Sequence, residues 1–243
     1  MSNLLEITNL VVRYDARQPV LKGISLQAGR GERIAILGPS GTGKTTLFRA
    51  INGFVPAVSG SIRLEQTEVT RLHGSALRRL RTRIAVVSQR HDLVDELRVY
   101  QNVLAGALGR WSSWRALRFL VWPRKEELAQ AEEVLQRVGL GHKLRVRTAA
   151  LSGGEHQRVA IARALVQQPC LMLADEPVAS LDPALCEQTL ELLCGLAEES
   201  HVTLFCSLHQ PRLAERYFDR IIEMRSGEIV GEQVMKLATD KHR

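Results

Sequence analysis

Gly38-Pro39-Ser40-Gly41-Thr42-Gly43-Lys44-Thr45 fits the phosphate-binding loop pattern G-x-x-x-x-G-K-[ST] at every defined position. Before it, Arg33-Ile34-Ala35-Ile36-Leu37 reads as a buried strand. After it, beyond Thr46, the residues Leu47, Phe48, Ala50 and Ile51 have helical spacing. Strand, glycine-rich turn and helix start are the context this chemistry requires. Glycines let backbone N–H groups converge on phosphate oxygens, and the helix N-terminus adds roughly half a positive charge. Lys44 is placed to reach the outer phosphates, and the Thr45 hydroxyl to ligate Mg²⁺. The expectation is a nucleoside-triphosphate site.

With 243 residues, the chain can bury a sizeable core as one domain with subdomains. Its 45% hydrophobic and 24% charged residues are ordinary for a globular protein. No apolar run approaches the roughly 20 residues of a membrane span, and Met1 to Leu10 lacks a basic-then-apolar signal pattern. A cytosolic protein is expected. Cys170, Cys186, Cys194 and Cys206 lie in apolar segments without C-x-x-C spacing, so they read as reduced, buried thiols. The net charge of +7 comes mainly from arginine, and Arg71/Arg78/Arg79/Arg81/Arg83 and Arg110 to Lys125 form two clusters. Solvated faces, a docking partner, an anionic membrane or nucleic acid all suit such patches. No zinc spacing, RNA-binding signature or repeat accompanies them.

Strands are expected over Leu4–Tyr14, Leu21–Gln27, Ser61–Leu64 and Ile84–Ser88, with a loop from Gly53 to Gly60. From Val99 to Gln168 the pattern is largely helical, and Glu126 to Val138 carries a clear apolar stripe. Strand character returns at Cys170–Ala174, Val202–Ser207 and Arg220–Met224. The order implies an α/β fold, a parallel sheet flanked by helices, with a β-rich start and a helical insert.

Two further stretches carry chemistry. Leu151-Ser152-Gly153-Gly154-Glu155 opens a helix, which suits a phosphate or a plain Ser N-cap. Cys170 to Ala174 is a buried strand that delivers Asp175 and Glu176 at its C-terminal end, where ligands bind in such sheets. Asp175 is placed to hold Mg²⁺ and Glu176 to act as general base.

In this combination and order the chain resembles the ATP-binding subunits of ABC transporters over nearly its whole length. The resemblance implies an α/β P-loop NTPase with a RecA-like core, an N-terminal antiparallel β subdomain and a helical insert. It implies one ATP-binding domain over 1–243, with the β subdomain and core at about 1–90 and 169–243 and the signature subdomain at about 91–168. Gly38 to Thr46 then hold ATP, and Leu151–Glu155 corresponds to the LSGGQ signature. Gln89 matches the loop glutamine at the γ-phosphate and metal, Ser180-Leu181-Asp182 the D-loop, and His209 the switch histidine. Tyr14, 24 residues before Gly38, sits where the family stacks an aromatic on adenine, though a strand-end aromatic reads the same. The implied catalytic set is Glu176, His209 and Lys44, with Thr45, Gln89 and Asp175 at Mg²⁺. Glu155 departs from the pattern, replacing the closing glutamine of the signature.

If Ser152, Gly153 and Gly154 face a γ-phosphate, they must cap ATP held by another copy, as the family does in a head-to-tail homodimer. The resemblance further implies two integral membrane permease subunits, an external solute-binding protein and a peripheral place on the cytoplasmic face of the inner membrane, without nucleic acid. Asn102 to Arg110, Met172 to Pro183 and Ser207 to Gln210 resemble the phosphonate-type importers. Another ABC cargo (amino acid, phosphate or lipoprotein) and a soluble phosphonate-degrading complex are the alternatives. Trp111, Trp114 and Trp122, interleaved with Arg110, Arg115, Arg118 and Arg124, suit a docking face, a headgroup-level membrane contact, or a core helix.

Overall fold

The computed structural model describes residues 3–14, 18–88, 92–179 and 181–235. The elements are β1 (Leu5–Val12), β2 (Leu21–Ala28), β3 (Arg33–Leu37), α1 (Lys44–Ile51), β4 (Ser59–Leu64), β5 (Thr67–Glu68), α2 (Gly74–Arg81) and β6 (Ile84–Val87). Then follow α3 (Val99–Ala105), α4 (Ser113–Val121), α5 (Lys125–Arg137), α6 (Gly153–Val166), β7 (Leu171–Asp175), α7 (Pro183–Glu199), β8 (Thr203–Leu208), α8 (Pro211–Tyr217), β9 (Arg220–Arg225) and β10 (Glu228–Val234). An antiparallel sheet has the order β2-β1-β4-β5, and a second sheet the order β10-β9-β3-β8-β7-β6.

The second sheet lies between two cores. Alternate residues of β3 divide between them. Ile34 and Ile36 pack with the antiparallel sheet and with Leu47, Phe48 and Ile51 of α1. Ala35 and Leu37 pack with the helical side, alongside Val103, Ile161 and Leu193. In β7 the same split sends Leu171 and Leu173 one way and Met172 and Ala174 the other. A strand buried on both faces reads as an unbroken apolar run, which is why these strands were legible. Fully burying one such isoleucine contributes about 1.5–3 kcal/mol.

β3, β8, β9, β7 and β6 pair in parallel, as expected, but β10 pairs antiparallel with β9 and closes one edge. The sheet is therefore mixed. β10 escaped the sequence reading because no residue of Glu228–Val234 is buried, so hydrophobic selection on it is weak. α2 and α8, short and largely solvent-facing, were missed for the same reason. The loop after α1 ends sooner than expected, with β4 starting at Ser59. Cys186, Cys194 and Cys206 are buried free thiols, whereas Cys170 is only half-buried. Burial pushes the Cys194 thiol up to about 12.

The tryptophans divide. Trp111 packs edge-on against buried Phe119, ring centroids 5.3 Å apart, with the Arg115 guanidinium 4.2 Å over its face. Trp114 and Trp122 are exposed. The core reading holds for Trp111 alone. α4 is tied to α5 through the carboxylate of Glu127, only 2% exposed. That carboxylate accepts from Arg115 Nε at 3.1 Å, from the Arg124 backbone N–H at 2.9 Å, and from Arg118. Burial pushes Glu127 up, but these three donors outweigh it and hold it below the ordinary 4.5.

Glu127→Ala is expected to cost about 2 kcal/mol in urea denaturation. This is less than the roughly 3–5 kcal/mol of a fully buried broken pair, because Arg115 and Arg118 keep access to water. With the folded pKa depressed, the wild-type contribution is present above the unfolded value and lost as pH falls through the folded one. Unchanged stability at pH 7 would contradict this account.

Candidate active site

In the parallel part of the sheet, β8 lies between β3 and β7, so three strand ends open on one edge, about 4.8 Å apart. β3 ends in the phosphate loop, β7 in Asp175 and Glu176, and β8 leads to His209. The loop needs its glycines. A Cβ at Gly38 would stand 2.4 Å from the carbonyl oxygen of Met224. Gly43, the N-cap of α1, has φ 101°, and a Cβ there would meet Leu21 at 2.8 Å.

Lys44 turns back under this loop. Its side chain is 4% exposed, and Nζ donates to the carbonyl oxygens of Gly38 (2.7 Å) and Pro39 (3.1 Å). The same Nζ lies 3.7 Å from Glu176 Oε1. Burial lowers the ammonium's pKa, and Glu176 and Asp175 partly restore it. His209 Nε2 is 2.7 Å from that same Glu176 oxygen. Glu176 itself has φ 50°, a left-handed conformation uncommon for a residue with a side chain and one that gathers at functional sites.

Ser207 was not singled out from the sequence, yet it joins the two acids. Its hydroxyl donates to Asp175 Oδ1 and accepts from the Glu176 backbone N–H, both at 2.8 Å. The available signal was a serine in the mostly apolar stretch Leu204–Leu208, and it is fully buried. Thr45 is exposed on the first turn of α1, and Thr46 is buried. The Tyr14 hydroxyl lies 3.3 Å from Thr46 Oγ1 while the residue stays 56% exposed, so its ring is free beside the loop. Pro39, Ser40 and Gly41 are exposed or half-buried along the loop, and Thr42 is buried, donating to the Pro39 carbonyl at 3.0 Å. Gln89 and Ser180 lie outside the described residues.

The fit to a magnesium nucleotide is chemical. A buried ammonium facing loop carbonyls lies 3.7 Å from the Glu176 carboxylate, and the exposed Thr45 follows it on the first turn of α1. Among the described residues no group of three or more His, Cys, Asp or Glu side chains could hold a metal. Mg²⁺ needs no such cage, since it is usually held by one or two protein oxygens together with phosphates and water.

Ser152, Gly153 and Gly154 are elsewhere. They line a depression shared with Leu181, Asp182 and Leu185 that contains no phosphate-loop residue. Ser152 caps α6: its hydroxyl accepts from the Glu155 N–H at 3.3 Å, and Glu155 Oε2 accepts from the Ser152 N–H at 2.9 Å. Lys143 Nζ reaches Glu155 Oε1 at 3.0 Å. The Ser152 N–H and Lys143 hold the Glu155 carboxyl below its ordinary range. Glu155 is thus an acceptor in a capping box, a role glutamine fills equally. Asp182 caps α7, accepting from Leu185 N–H at 3.0 Å ahead of Pro183.

The ABC transporter family profile matches residues 21–179, well over half of the chain. The chain belongs to the ABC transporter family. This ABC transporter protein is 44% identical over 227 residues to a phosphonates import ATP-binding protein of Ruegeria sp. (strain TM1040), covering 93% of this chain and 88% of that one. It is also 44% identical over 238 residues to the phosphonates import ATP-binding protein of Bordetella parapertussis, covering 95% and 91%. In fold it is similar to cbiO1 from Clostridium perfringens, part of the ABC transporter complex cbiONQ (TM-score 0.83, 30% identity, 96% and 88% covered). It is equally similar to a dimeric ATP-binding cassette in a post-hydrolysis state bound to ADP and Pi (TM-score 0.83, 28% identity, 96% and 100% covered).

Glu155→Gln is expected to keep the cap and lose only the Lys143 charge pair, changing stability by under about 1 kcal/mol in urea denaturation. Glu155→Ala, which removes the acceptor, should cost about 1 kcal/mol. A larger loss in the glutamine variant would overturn the capping role.

Proposed function

We propose that the chain is the ATP-hydrolysing subunit of an ABC importer for phosphonates or related oxyanions. One observation carries the catalytic part: Lys44 and His209 meet on the same oxygen of Glu176 at the phosphate loop. The similarity to phosphonates import ATP-binding proteins supports the cargo. The cargo never touches this subunit, so no pocket for it is expected.

The roles follow from position. Lys44 and the loop N–H groups from Gly38 to Thr46 bind the triphosphate, and Tyr14 offers its exposed ring to the base. Thr45 and Asp175, with Gln89 as the family resemblance implies, would hold Mg²⁺, which would supply charge neutralisation on the phosphates. Glu176 accepts the proton of the attacking water. His209, within hydrogen-bond distance of that carboxylate, fixes its orientation and senses the terminal phosphate. Ser207 keeps Asp175 and Glu176 in register.

Ser152, Gly153, Gly154 and Asp182 complete the site of a second copy. Their depression is separate from the phosphate loop of their own chain, which is why two chains are needed. The working assembly is then a homodimer on two permease subunits with an external solute-binding protein, peripheral on the cytoplasmic face of the membrane. The division into 1–90 with 169–243 and 91–168 fits this arrangement, since the signature helix α6 lies in the helical part and the triphosphate site in the other.

Glu176→Gln is expected to bind ATP normally, form a closed dimer on size-exclusion chromatography with ATP, and lower turnover by about 100-fold or more. Normal turnover would remove Glu176 as the base. Gly154→Asp should abolish ATPase activity while a monomer still binds ATP with unchanged affinity. Lost monomer binding would place the signature in cis.

A further inference from the structure

α4 buries Phe119 on one face yet leaves a second apolar face in water. Its only charged residues, Arg115 and Arg118, are drawn toward the buried Glu127 carboxylate. Its apolar residues Trp114, Leu117 and Val121, spaced i, i+3 and i+7, point outward with Trp122, and they are 75%, 59%, 78% and 77% exposed. Because Glu127 also takes the Arg124 N–H at 2.9 Å, and Arg118 donates to the Trp122 carbonyl at 2.7 Å, the ridge is fixed in this orientation. Exposed apolar ridges of this kind mark contact surfaces.

We infer that the outer face of α4 lies in the headgroup layer of an anionic phospholipid bilayer. Charge points to the occupant. From Leu97 to Lys125 there are six arginines and lysines and no aspartate or glutamate. Arg124 and Lys125, which follow Trp122 after Pro123, are exposed, and the first acid is Glu126. Basic residues beside the surface attract anionic lipid, and tryptophan prefers the interface, where its ring is half in hydrocarbon and its N–H in water. Shape agrees. The four side chains are exposed along one ridge, and a fluid headgroup layer accepts a convex ridge. With nine residues at about 1.5 Å each, α4 presents a face roughly 13 Å long, carrying a tryptophan at either end. No helix among the described residues is long and apolar enough to cross a membrane, so α4 lies on the surface.

The full-length protein is to be mixed with vesicles of phosphatidylglycerol and phosphatidylcholine and with vesicles of phosphatidylcholine alone. Wild type should co-sediment with the first, and brominated lipid should quench its tryptophan fluorescence. Trp114→Ser with Trp122→Ser should weaken partition about tenfold or more and abolish quenching, with basal ATPase activity unchanged. Equal partition of wild type and the double variant would overturn the inference, since binding would then be charge alone. Absence of wild-type quenching would also overturn it. So would unaltered vesicle binding of the double variant together with release of its membrane subunits, which would assign the ridge to a protein contact.

Discussion

A buried ammonium group organises this molecule. Lys44 is almost wholly out of water, held by two carbonyls of its own loop and by a carboxylate 3.7 Å away. Withdrawing such a charge from water is costly unless it is matched by hydrogen bonds and opposite charge. The loop supplies the first, and only because glycines let it fold so closely that a Cβ at Gly38 would collide with the backbone. The ends of the neighbouring strands supply the second. An anionic phosphate meets the same demand, so the feature that costs stability is also the one that binds.

Strand order brings the remaining groups there. In a parallel sheet every strand delivers its C-terminal end to the same edge, and placing β8 between β3 and β7 brings His209 to the same Glu176 oxygen that Lys44 approaches. Ser207 is the joint of this arrangement, with one hydroxyl holding the side chain of Asp175 and the backbone of Glu176. The left-handed backbone at Glu176 then turns its carboxylate toward Lys44 and His209.

What the sequence revealed follows from how strongly each element is constrained. β3, β7 and β8, buried on both faces, and α5, with one buried stripe, were legible to within a residue or two. The phosphate loop was legible because its glycines are fixed by close approach. β10, α2 and α8 were not, since little apolar surface selects their residues. The role of Ser207 escaped because a lone hydroxyl in a strand carries no spacing signal. The division of the tryptophans escaped for another reason: Trp111 and Trp114 share a segment and a composition, and the burial of Phe119 together with the Glu127 pairing decides which face of α4 turns inward.

Ser152 to Gly154 and Asp182 line one depression, and Lys44, Glu176 and His209 gather at the phosphate loop. A complete catalytic site on this account spans two chains, so the specific ATPase rate must depend on how often chains meet. The direct test is ATPase rate per chain, at saturating ATP, as the protein is diluted through the range where light scattering shows single chains. The account predicts that the rate per chain falls with dilution toward zero. A rate per chain that stays constant in the single-chain regime would contradict it.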